Sequence, residues 1–369
     1  MMVVSKQHQI FFDFLRFCIG SADEIPSSLK EADWKELYAI AKKQCLVGVL
    51  FDGIKKLPAE HVGMEKELLL HWMAESQMLE KANVRLNDAA IQVSEWFRKK
   101  GFRTCILKGQ GNALMYPNPY SRTPGDIDIW VEGGDKRVIF FVRSISPHEK
   151  ACYHHIEFPS YKGVEVEVHY RPSFLLYFWH NRKLQKYYER VKEEQFSHRV
   201  VLGEQGEIAI PTVEFNLIFQ LTHIFSHLMN EGIGLRQLLD YYFVLVKSEE
   251  RRVKNLTALQ RELKYLGLWK FAGAVMYVLH ETLGLPEAKM IAPIDVNEGR
   301  FLLAEIMQGG NFGQYDTRLG SKENEGKLHR YLRMSLRNLR FVKHYPTEAL
   351  SEPLFRTWFA LWKKIHGIK

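Results

Sequence analysis

Apolar residues recur at three- and four-residue spacings over His8–Ile19, Leu29–Lys43 and Glu65–Lys100, with few Gly or Pro, and this period predicts helices. In the longest, Leu68, Leu69, Trp72, Met78, Leu79 and Ala82 trace one stripe, and Lys99-Lys100-Gly101 supplies a basic last turn and a glycine stop. The texture changes at Phe102. Arg103–Leu107 reads as a short apolar strand ending at Lys108-Gly109, followed by a brief helix through Gly111–Tyr116 and the proline-rich loop Pro117–Gly125. Asp126–Val131 predicts a strand, Lys136–Ile145 a helix, and His154–Phe158 with Val164–Tyr170 a hairpin about Pro159–Gly163. Helical periodicity resumes at Glu214–Asn230, behind Thr212 as N-cap, and continues through Leu235–Lys247 and further helices to about Leu283. A last set spans Lys327–His344 and Leu354–His366, and Asn311–Lys327, rich in Gly, Asp, Glu and Asn, reads as a mobile connection. A small mixed sheet between helical stretches is an α+β pattern, divided at about 1–95, 96–200 and 201–369.

Composition narrows the class. With 46% hydrophobic and 25% charged residues the chain reads as soluble and globular, and no apolar run approaches the roughly 18 residues of a membrane span. The first apolar stretch is broken by Asp13 and Arg16, which predicts an amphipathic helix rather than a signal peptide. Cys18, Cys45, Cys105 and Cys152 form no CxxC pair; they read as reduced thiols of a cytoplasmic protein rather than as a zinc knuckle or a disulfide framework. The net charge of +8 is uneven: Lys327–Lys369 holds ten Lys/Arg against two acidic residues, and the remainder is neutral.

The chemistry concentrates in Gly125-Asp126-Ile127-Asp128-Ile129-Trp130-Val131. Along a strand Asp126, Asp128 and Trp130 share one face, and Ile127, Ile129 and Val131 the other, which reads as core. Two like charges side by side cost stability unless a cation sits between them, and oxygen-only ligands at this spacing suit magnesium. Glu165, Glu167 and His169 repeat the alternation opposite Val164, Val166 and Val168. If that strand lies beside the first, a third carboxylate joins the pair. Three carboxylates can hold two metals about 3.5–4 Å apart, the arrangement that serves phosphoryl and nucleotidyl transfer. Upstream, Lys108-Gly109-Gln110-Gly111 closes a strand and opens a helix, a turn suited to phosphate, where Lys108 and Arg122 could neutralise a triphosphate.

Taken together, LKGQGNALMYPNPYSRTPGDIDIWV followed by VEVEVH resembles the DNA-polymerase-β-like nucleotidyltransferase superfamily. The resemblance is closest to a bacterial group whose core reads Lys-Gly, then Arg, then Asp-Ile-Asp, then Glu-x-His. It covers about residues 102–171, with softer likeness in the helix carrying His223 and His227 and in Leu235–Asp240. It implies a nucleotidyltransferase core flanked by helical regions. It also implies that Asp126, Asp128 and Glu167 bind two magnesium ions, that Lys108, Gly109, Gln110 and Arg122 contact the triphosphate, and that a nucleoside monophosphate passes to an acceptor not written in the sequence. The chain departs from the superfamily in having Gln110 after Gly109, where Gly or Ser is usual, and in a longer loop to Asp126. Glu167 is preferred over Glu165 because it precedes the Val-His step of the group.

The remaining candidates read more plainly. His223 and His227, four apart on a helix, have no third ligand in register and suit packing or hydrogen bonding. Asp240 either reaches the site or caps a neighbouring helix. Arg330, Arg333, Arg337 and Arg340 form a basic stripe that reads as a solvated face, since base-stacking aromatics are not interleaved, while Leu332, Leu336 and Leu339 can pack inward. Trp358 and Trp362 read as core rather than as membrane contacts. Two rival readings follow: a nucleotide-binding module without turnover, and an RNA-directed nucleotidyltransferase using the basic C-terminal helices.

Overall fold

The computed structural model describes residues 5–203, 206–247, 256–318 and 326–365. Four helices lead: α1 (Lys6–Ile19), α2 (Trp34–Lys43), α3 (Val47–Ile54) and the long α4 (Lys66–Lys99). Ser5 caps α1 by accepting the His8 N–H, and Asp33 caps α2 by accepting from Lys35 and Glu36. Helix α3 is not among the predicted elements, because its VGVLFDGI run is buried nearly all round and so carries no polar face to set a period. The predicted stop of α4 is present, with Gly101 at φ +81° turning the chain into the sheet.

The sheet follows as β1 (Thr104–Ile106), the short α5 (Gln110–Ala113), β2 (Ile127–Val131), α6 (Gly134–Ile145), β3 (His155–Tyr161) and β4 (Val164–His169). Its order is β1-β2-β4-β3, with β2 and β4 parallel and both outer pairs antiparallel. Helix α6 is the crossover that a parallel β2–β4 pair requires. After it come α7 (Phe178–Ser197), the ribbon β5 (Arg199–Leu202) and β6 (Gly206–Ala209), then α8 (Val213–Asn230), α9 (Leu235–Lys247), α10 (Leu256–Tyr265), α11 (Trp269–Leu283), α12 (Val296–Gly309), α13 (Lys327–Val342) and α14 (Pro346–Ile365). The architecture is α+β with helical flanks, as expected.

The alternation of β2 and β4 sorts their residues into two cores. Ile127, Ile129, Val131, Val166 and Val168 pack with Leu86, Val93 and Phe97 of α4 and Val138 and Val142 of α6. On the other face Trp130 joins a larger core that holds α1–α3 together with α8, α9, α11 and α12. Its ring meets Phe196 and Phe215 at 4.7 and 5.9 Å. The N- and C-terminal helices thus share one core and close over the polar side of the sheet.

Four sequence expectations are corrected. Leu332, Leu336 and Leu339 do not pack inward; they are 53–62% exposed, whereas Arg337 is buried. Arg337 donates to the carbonyls of Leu228 and Met229 at the C-terminus of α8, acceptors that a leucine could not satisfy. The solvated-stripe reading therefore fails at Arg337 and also at Arg340, which pairs with Asp316; the side chain of Arg330 lies outside the described residues. Trp358 is half exposed, at the edge of an aromatic group with Tyr153, Phe355 and Phe359. Helix α14 begins at Pro346 and runs through Pro353 rather than starting behind it. Its first turn is fixed from outside: the buried Glu348 carboxylate accepts the N–H groups of Leu176 and Tyr177, the residues that lead into α7. The predicted connection Asn311–Lys327 lies partly outside the described residues. No described helix is long and apolar enough to cross a membrane.

Candidate active site

Parallel pairing sets Asp128 of β2 opposite Glu167 of β4, and Trp130 opposite His169. Asp128, Glu167 and His169 face away from the α4–α6 core into a cavity of about 1900 Å³ bounded by α8, α13 and α14. One donor atom from each of the three lies within 4.8 Å of the others. His169 Nε2 is 3.0 Å from Asp128 Oδ1 and 3.4 Å from Glu167 Oε2, while its Nδ1 is 3.3 Å from the Arg171 carbonyl. Lys108, just past β1, places Nζ 2.9 Å from Asp128 Oδ1 and 3.0 Å from His223 Nε2 of α8. Asp126 stands immediately before β2 and lines the same cavity.

The electrostatics follow from that placement. Asp126 is pushed up to about 6, first by the charge of Asp128 and then by burial. Burial alone would also raise Asp128, but the Lys108 ammonium and the His169 hydrogen bond outweigh it and hold the carboxyl well below the usual range. Burial opposes charge on His169 too, yet its hydrogen bonds to Asp128 and Glu167 raise it to about 9. With both ring nitrogens donating, His169 is a cation at neutral pH. For Glu167 burial is again outweighed, chiefly by the His169 hydrogen bond, and the carboxyl is lowered. The floor is thus a carboxylate set neutralised by the protein's own cations. Among the described residues Asp128, Glu167 and His169 form a group close enough to share one ion, with carboxylate oxygens of the kind a hard divalent cation takes; Asp126 lines the cavity beside that group without joining it.

A raised histidine stabilises the fold fully below its unfolded value of 6.5, and the contribution is lost as pH rises through the folded value of about 9. The melting temperature should therefore fall between pH 6.5 and 9, and His169→Gln should flatten that part of the profile. An unchanged slope in the variant would show that His169 is not the group responsible.

Among the residues expected from sequence, Lys108, Asp126, Asp128, Glu165 and Glu167 line the cavity, as do His223 and His227. Gly109, Gln110 and Arg122 are not on its wall. Gly109 has φ +58°, a conformation that L side chains rarely adopt, and this lets the turn pass close to the Asp126 carbonyl. Gln110 is buried and donates to Asn87. The Arg122 fork is buried and occupied by both oxygens of Asp240, at 2.8 Å each. The structure thus gives Arg122 and Asp240 an internal partnership in place of the expected triphosphate contact. His154 and His155 also line the site, as do Tyr331, Arg333, Phe355 and Arg356 of α13 and α14, none of which the sequence reading placed there. The adjacent histidines opening β3 were the available signal for the first pair; nothing local could have announced the helices.

The family model described as "uncharacterised nucleotidyltransferase" matches residues 30–284, more than half of the chain, and the chain belongs to that family. It is accordingly a transferase, acting on a nucleotide and an acceptor. Neither a curated protein nor a solved structure matches it. The match ends before α12, so the cavity wall built by α13 and α14 lies beyond it.

Proposed function

We propose that the protein transfers a nucleoside monophosphate from a nucleoside triphosphate to an acceptor hydroxyl, with magnesium, releasing pyrophosphate. The observation that carries this reading is the alignment of Asp128 with Glu167 on adjacent parallel strands, with Asp126 beside them at the floor of a large cavity. Asp126, Asp128 and Glu167 would hold two magnesium ions. Bound there, the ions would offset charge at the α-phosphate and lower the pKa of the acceptor hydroxyl. Lys108, whose ammonium rests on Asp128, would neutralise a phosphate oxygen. Glu167, with 31% of its side chain exposed, faces the cavity and is suited to take the acceptor's proton. Cytoplasmic location belongs to the same reading.

An RNA-directed version loses support, because Arg337 is committed to the end of α8 and Arg340 to Asp316. A module without turnover predicts triphosphate binding alone. Incubation with each α-labelled triphosphate, magnesium and cell lysate should label an acceptor and release pyrophosphate. Saturable triphosphate binding with neither outcome would leave the non-catalytic module.

A further inference from the structure

Beside the carboxylates lies a cluster that the proposed reaction does not use. His155 opens β3 directly opposite His169 of β4, and His154 precedes it. The three ring centroids form a near-equilateral triangle: 4.5 Å between His154 and His155, 5.2 Å between His154 and His169, and 5.3 Å between His155 and His169. One nitrogen from each lies within 4.8 Å of the other two. His154 Nε2 and His155 Nδ1 are 3.2 Å apart, and Glu167 Oε2 is 3.3 Å from His155 Nδ1. Zinc–nitrogen bonds of about 2.0–2.1 Å at tetrahedral angles need nitrogen atoms roughly 3.3 Å apart; the His154–His155 pair stands at 3.2 Å, and the His169 nitrogen, within 4.8 Å of both, would close the remaining distance.

Two further observations argue against mere packing. His154 Nδ1 is buried with no hydrogen-bond partner among the described residues, a second nitrogen of that ring, besides the Nε2 that meets His155, left open to a ligand. His169 donates from both nitrogens, so a metal would take Nε2 by displacing the proton shared with Asp128 and Glu167, while Nδ1 keeps the Arg171 carbonyl at 3.3 Å, the outer hydrogen bond that commonly orients a ligating imidazole. The donors differ in kind from those of the magnesium set: imidazole nitrogens suit zinc, cobalt or nickel, and carboxylate oxygens suit magnesium.

We propose that His154, His155 and His169, with Glu167 at their edge, form a site for one borderline divalent transition metal such as zinc. The site rests on the nucleotidyl reading only in that Glu167 belongs to both donor sets. A metal held by the imidazoles draws on that carboxylate, so zinc and magnesium–triphosphate oppose one another's binding.

Cobalt titration of the metal-free full chain tests this. One equivalent should bind with the intense visible bands of a four-coordinate nitrogen site, be displaced by zinc, and resist millimolar magnesium. His154→Ala with His155→Ala should weaken cobalt binding at least about 100-fold. Zinc-edge X-ray absorption on the unaltered protein, which needs no variant to fold, should show two or more imidazole ligands. An oxygen-only shell, a weak octahedral spectrum displaced by magnesium, or unchanged affinity in the folded double variant would each overturn the proposal. Cobalt binding in a protein that shows no magnesium–triphosphate effect supports this site and sinks only the nucleotidyl reading; the converse sinks only the site.

Discussion

Converting Asp126 and Asp128 together to Asn is expected to lower nucleotidyl transfer by about a thousandfold or more, measured per folded molecule because Asp128 is also the buried counter-ion of Lys108 and His169. Carboxylates that position ions at a reacting phosphate are worth several kcal/mol of transition-state stabilisation, and each 1.4 kcal/mol is tenfold in rate. The same variant should lose the magnesium-dependent part of the rise in melting temperature caused by triphosphate, because a ligand stabilises only through the state it binds. A full shift in the double variant would place the nucleotide elsewhere. Asp126→Asn alone carries an opposite signature. A folded value of about 6 against 3.8 unfolded means that the folded state binds the proton more tightly, so the charged form costs stability. That cost is absent below pH 3.8 and complete above 6, where it amounts to at most about 3 kcal/mol before solvent screening. The metal-free Asp126→Asn protein should therefore melt higher than the unaltered one above pH 6, and the gain should vanish in acid. A variant less stable at neutral pH would mean that the Asp126 carboxylate is already well compensated within the fold.

The second large effect concerns stability. Asp240 is 6% exposed and accepts the Arg122 fork, the Tyr116 hydroxyl at 2.7 Å and the Asn112 amide at 3.3 Å. Asp240→Asn leaves the Arg122 charge buried without its counter-ion, and removing one partner of such a pair costs about 3–5 kcal/mol. Urea unfolding should register that loss. Arg122→Gln should destabilise similarly while leaving the triphosphate affinity of the folded fraction unchanged. If instead it weakens triphosphate binding and barely alters stability, the phosphate contact expected from sequence is restored and the internal partnership is secondary.

What could be read along the chain was whatever short-range periodicity encodes. Period-two alternation at Asp126–Val131 and Val164–Tyr170 identified both strands, separated their core faces from their polar faces, and brought Asp126, Asp128 and Glu167 forward as candidates. Period-three-and-four patterns located α1, α2, α4, α8 and α9. Elements without a contrasting face escaped: α3 because it is apolar nearly all round, and α7 because its sequence is polar along much of its length. The family resemblance rested on local motifs for the same reason.

By itself the sequence determined which residues could be ligands and which strand faces could be core, since side-chain alternation follows from backbone geometry alone. Tertiary structure decided who meets whom. The β2–β4 pairing brought Asp128 to Glu167 across a crossover, and Lys108 met His223 across 115 residues. Arg122 was claimed by Asp240, and Arg337 turned inward while leucines of the same helix stayed exposed. Those outcomes depend on satisfying buried charges and orphaned carbonyls between segments far apart in the chain. No local pattern carries that information, because the partner that satisfies each group is supplied only by the fold.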